Sequence, residues 1–148
     1  MSNPGIVTSG TGGAARALIV AGDITVAVTC AVGASAGTQN LTAGGNVANT
    51  GVINFAAAAN RVCNVVFNDN ANQTVSGSGA NTFNLITLNM GGTNANVLDM
   101  QAAFTAPSPF LTITNGTYKH SSPSSIAPWT TAAGAPHPVT GGCWLNSA

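Results

Sequence analysis

The sequence predicts an all-β fold, a β-solenoid in which short strands stack coil upon coil. Three observations carry this. Charged residues make up only 4% of the 148 residues, against about 25% in ordinary soluble domains. Short apolar runs recur along the chain, each closed by Gly or Asn. The apolar triplets Val65–Phe67, Ile86–Leu88 and Leu111–Ile113 begin 21 and 25 residues apart, which leaves room for two or three short strands per interval, as in a solenoid rung. The triplet at Ile53–Phe55 starts only 12 residues before Val65 and breaks the period. The alternative is a β-sandwich of about seven short strands, which shows similar alternation and turn spacing.

The composition excludes several classes. Hydrophobic residues reach 45% with a net charge of zero, the reverse of a disordered chain. Glu is absent and Lys occurs once, so the strong helix formers are missing. The Ala tract at Ala56–Ala59 is too short for an independent helix. With Arg16, Arg61 and Lys119 as the only Lys and Arg residues, few phosphates could be neutralised, and no nucleic-acid partner is expected. No apolar run is long enough for a membrane-spanning segment. The opening residues lack the basic and apolar regions of a signal peptide, so the chain reads as an excised piece or one whose export signal has been removed. Neutrality favours association, which points to self-assembly or burial in a larger array.

The elements follow in order. Residues 1–22 read as an N-terminal cap or irregular lead-in, 23–106 as solenoid coils, and 107–148 as further coil strands interrupted by a Pro-rich loop at about 122–140. Asp23–Val32 alternates Ile24, Val26, Val28 and Cys30 against polar or small residues, the period of a half-buried strand. Gly51–Phe55 and Arg61–Asn68 follow. Gln73–Gly79 is a short strand with a Gly-Ser turn, Asn81–Asn89 a long strand and Asn96–Met100 a short one. Phe110–Ser121 reads as two strands about an Asn-Gly turn, and Gly142–Asn146 as the last strand. Between Pro107 and Pro138 lie six of the seven prolines, which bars a continuous central strand. Gly supplies tight corners, and stacked Asn and Thr can share hydrogen bonds from coil to coil. Like charges facing across a pair of strands repel, so a stack favours a charge-poor chain.

The stretch Asn72–Gly92 resembles the repeats of large exported bacterial cell-surface, adhesin-like proteins. Gln73, Thr74, Val75, Ser76 and Gly77 match one part of the unit. Thr82, Phe83, Asn84, Ile86, Thr87, Leu88 and Asn89 match the next. Leu111–Ser121 and Gly141–Asn146 are similar to later parts, so the likeness covers about Leu41–Asn146. It implies a right-handed parallel β-helix, an extracellular or cell-surface location, and a non-catalytic stalk or adhesive array. The chain departs from the unit at Leu85, where the repeats carry Asn. If Ile86 and Leu88 point inward, Leu85 and Thr87 face outward and form a candidate assembly surface, unless a bulge turns Leu85 in. The chain's last residues, an apolar strand without a polar cap, suggest a fragment or a subunit capped by its neighbour.

Little of the chain reads as chemistry. Asp23, Asp69 and Asp99 are far apart in sequence, whereas glycoside hydrolysis wants two carboxylates at a set separation; each reads as a turn or corner residue. His120 and His137 read as surface histidines. Cys30, Cys63 and Cys143 lack metal-ligand spacing and read as small apolar side chains, with one disulfide as the alternative. No metal, cofactor or catalytic residue is expected. Trp129 and Tyr118 are the candidate ligand-binding residues, as aromatic platforms for surface glycans. The remaining expected partners are other protein copies or neighbouring coils of a larger chain. An extracellular filament subunit and a polysaccharide-binding or polysaccharide-active β-helix are the rival functions. Ice binding calls for rows of outward Thr, and Thr112 with Thr114 supplies one pair.

Overall fold

The computed structural model describes residues 15–32, 36–125, 127–128 and 138–145. It is a parallel β-solenoid of about five turns, with no helix among the described residues. The first coil comprises β1 (Arg16–Val20), β2 (Ile24–Val26) and β3 (Thr29–Ala31). The second has β4 (Gly37–Ala43), β5 (Val47–Asn49) and β6 (Val52–Asn54), followed by the short β7 (Ala56–Ala58). The third has β8 (Arg61–Phe67), β9 (Gln73–Ser76) and β10 (Ala80–Thr82). The fourth has β11 (Leu85–Asn89) and β12 (Val97–Met100), with Thr105 bridged to Thr82. The fifth is carried by β13 (Leu111–His120), on whose second half β14 (Gly141–Leu145) stacks.

The strands form three parallel sheets. The first sheet is β1, β4, β8, β11 and the start of β13. The second is β2, β5, β9, β12, the end of β13 and β14. The third is β3, β6 and β10. Only β7 runs antiparallel, folded against the start of β8.

This arrangement corrects three sequence readings. The stack already contains β1 at Arg16, ahead of the expected start at Asp23. Asp23–Val32 is not one strand: the chain turns a corner after Val26, so Val28 is 69% exposed instead of inward. Asn115–Gly116 is not a hairpin. β13 keeps its direction through a bulge opposite Asn89 and a positive φ of 93° at Gly116, passing from the first sheet into the second. The short interval from Ile53 to Val65 breaks the period, as the sequence indicated, because Ile53 lies in the third sheet and Val65 in the first; the register partner of Val65 is Leu41.

The core follows from strand parity. Leu41, Val65, Ile86 and Leu111 stack as one inward column, and Ala43, Phe67, Leu88 and Ile113 as the next. Inside the stack, Phe55, Phe83, Phe104 and Phe110 meet edge to face at centroid distances of 6.0, 5.9 and 5.5 Å, the arrangement that ring quadrupoles favour.

Side-chain ladders tie the coils together. Buried Asn49 donates from Nδ2 to Asn81 Oδ1 at 2.9 Å and to the Ala80 carbonyl at 3.0 Å. Asn81 Nδ2 in turn donates to the Ala103 carbonyl at 2.9 Å, so two amides link three coils. At the corner before the second sheet, Asp23 Oδ1 accepts from Asn46 N at 2.7 Å, and Asn46 Oδ1 accepts from Thr74 N at 2.9 Å. On the surface, Asn115 Nδ2 donates to Asn89 Oδ1 at 2.9 Å.

The corner at Gly77 has φ +106°, and a Cβ there would stand 2.1 Å from the Asn49 carbonyl oxygen. Gly77→Ala should therefore cost more than about 2 kcal/mol, from strain plus a backbone clash. Gly92 has φ +70° with nothing within 4 Å of its would-be Cβ, so Gly92→Ala should cost only about 1 kcal/mol. Urea midpoints of the two variants check the contrast.

Candidate functional site

The three carboxylates occupy separate places and each has a structural partner. Asp23 accepts from Asn46 at its corner. Asp69 accepts from the amide of the next residue, Asn70, at 2.6 Å. Asp99 on β12 is the register partner of Lys119 on β13, and Lys119 Nζ lies 2.9 Å from Asp99 Oδ2. Lys119 also stands 5.1 Å from the ring centroid of Trp144, its partner on β14. The outer face of the second sheet thus carries a row of Thr74, Asp99, Lys119 and Trp144. Burial pushes the Asp99 carboxyl up, but hydrogen bonds from Lys119, Ser121 and Gln101 and the Lys119 charge outweigh it, leaving the group below its usual value. Among the described residues, no three His, Cys, Asp or Glu side chains gather where a metal could sit.

Tyr118 is not a surface platform. Its parity on β13 puts it in the inward column above Leu98, fully buried, and burial pushes its phenol well above the ordinary range. His120 is likewise interior, correcting its reading as a surface residue. Its Nε2 lies 2.8 Å from the Ser124 carbonyl, which only accepts, so Nε2 carries a proton. In the neutral imidazole, Nδ1 then accepts from Tyr118 Oη at 3.0 Å. Phe104 packs against the His120 ring at 5.8 Å. Trp129 and His137 lie outside the described residues.

Leu85 and Thr87 do share the outward side of β11. Ile86 and Leu88 between and beside them are fully buried, and Leu85 itself is half-buried as the register partner of Asn64. The bulge that could have turned Leu85 inward lies further along, between Leu88 and Asn89. Sequence reasoning missed the Asp99–Lys119–Trp144 row. The signal was present only in the coil length, which brings residues 20 to 25 apart into register.

All three cysteines are free. Burial, with a smaller contribution from nearby Cys30 and against a backbone hydrogen bond at Leu41, pushes the Cys63 thiol up to about 12. Cys143 is exposed because no described coil covers β14.

No known protein family matches the chain, and neither a curated protein nor a solved structure does.

Two outcomes follow from these environments. A carboxyl held below its usual value stabilises the fold above the unfolded value of about 4, and that contribution disappears as pH falls through its own lower value. Asp99→Asn should therefore be less stable than the parent at pH 7, by less than about 1 kcal/mol for this partly exposed pair. The gap should close as pH falls below about 4, read from urea midpoints across pH. In the folded protein, iodoacetamide should label Cys143 first and Cys63 only on unfolding, since the thiolate is the reacting species; peptide mass spectrometry gives the order.

Proposed function

We propose that this chain is a non-catalytic structural or adhesive β-solenoid segment of a secreted or cell-surface protein, working by extension and packing. The observation that carries this reading is the employment of its carboxylates. Asp23 bonds to Asn46 on the next coil, Asp69 to the adjacent Asn70 amide and Asp99 to Lys119, so each acid has a partner within the fold. Among the described exposed residues, Arg16 and Asp23 are the only charged ones and Ala, Asn and Thr the commonest types, which suits a stack presenting largely uncharged faces. Its partners are then neighbouring coils of a larger chain, other copies, or surface glycans.

A self-assembling filament subunit is the second reading. Leu18 and Ile19 on β1 are 40% and 74% exposed, and Trp144 and Leu145 on β14 are each 57% exposed. Both strands leave one backbone edge without a strand partner among the described residues, and such edges invite pairing.

A panel of polysaccharides assayed for new reducing ends should show no turnover by the purified chain. Turnover abolished by Asp69→Asn or Asp99→Asn would instead support a polysaccharide-active enzyme. Size-exclusion chromatography with negative-stain microscopy separates the first two readings: a monomer stable to dilution supports the segment, and polymers support the filament.

A further inference from the structure

The outward face of the first sheet carries a row that no single sequence window displays. Ile19, Thr42, Val66, Thr87 and Thr112 are successive register partners on β1, β4, β8, β11 and β13. All five are β-branched, so each holds its methyl or hydroxyl groups in a restricted set of χ1 positions. Ile19 and Thr112 are exposed, and the three between them are half-buried. Val66 matches Thr in shape, so the row keeps its outline where it loses a hydroxyl. Two residues earlier on β1, β4, β8 and β11 runs a second row, Ala17, Asn40, Asn64 and Leu85. Neither row contains a charged side chain.

The spacing of these groups is set by the backbone. Rungs repeat at about 4.8 Å, and the two rows lie about 6.7 Å apart, twice the rise per strand residue. The result is a grid of methyls and hydroxyls in one row beside the Asn40 and Asn64 amides in the other, with Asn64 Oδ1 also accepting from Asn84 Nδ2 at 2.7 Å.

We propose that this face binds ice. Hydroxyls and amides on the grid anchor first-shell waters, while the methyls between them leave those waters to bond to one another. Water ordered with the repeat of the sheet can be continued by a growing crystal face. A charged side chain would orient water about itself and break the repeat, and this face has none; ice likewise presents only neutral donors and acceptors. A second copy of the chain fits the area less well. The rows of five and four residues cover on the order of 300 Å², well short of the roughly 800 Å² per partner of a stable protein interface. Ice does not depend on that area, because the face's own hydration water becomes part of the lattice. The inference goes beyond the structural reading above and rests on the register of the first sheet alone.

The test uses the purified chain in a nanolitre osmometer, recording thermal hysteresis and the shape of single ice crystals. The parent should shape crystals and show hysteresis. Thr87→Lys, at the centre of the row, should lose both with an unchanged circular dichroism spectrum. Thr25→Lys, on the outer face of β2 in the second sheet, should retain both. If Thr87→Lys fails to fold, Thr112→Lys at the exposed end of the row takes its place. A parent without shaping or hysteresis overturns the proposal, as does equal loss in Thr25→Lys. A dimer that dissociates on Thr87→Lys substitution would assign the face to a second copy and also overturn it. Failure here leaves the polysaccharide-panel result, and the structural reading, untouched.

Discussion

Each rung of this solenoid lies about 4.8 Å above the one before it, and that repeat governs which side chains can occupy a column. A residue on one strand faces its register partners above and below for the length of the stack. Apolar columns gain from this, as in Leu41, Val65, Ile86 and Leu111. Amides and hydroxyls gain as well, because each can donate in one direction and accept in the other. A repeated charge would face its own kind. Where two charged residues are register partners among the described strands, they are Asp99 and Lys119, of opposite sign. The scarcity of charge is thus a condition of the architecture.

The same constraint explains the polar residues inside. A corner must turn the chain while satisfying its backbone groups, and buried polar atoms need partners. Asn49 and Asn81 meet that need by bonding across coils while facing the core. Gln73, also buried, donates from Nε2 to the carbonyls of Ala43 and Gly45 at 3.1 and 2.6 Å. His120 and Tyr118 do the same where the chain leaves the fifth coil toward Ser124. These side chains resemble a site by residue type, yet the hydrogen bonds they make go to the fold, with Gln73 Oε1 left without a partner.

What the molecule offers to partners is therefore its outer faces. The two faces differ. The second sheet bears the one described ion pair, with Trp144 beside it. The first sheet bears two uncharged rows at a fixed pitch. The two sheets thus present different chemistry on their outer sides.

By itself the sequence determined that the chain is all-β, stacked and almost without charge. Strand parity in Asn72–Asn89 also placed Val75, Ile86 and Leu88 inside and Gly77 and Gly79 at a corner, because period two and glycine's conformational freedom are local properties. Only the tertiary structure decided which residues share a column. Coils differ in length, since turns such as Gly91–Asn96 absorb extra residues, so register is set by backbone pairing between segments far apart in sequence. That is why the short interval after Ile53 breaks the repeat, why the Asn-Gly pair in β13 looked like a hairpin, and why Tyr118 looked available. It is also why Thr42, Thr87 and Thr112, unremarkable in three separate stretches, stand in one row.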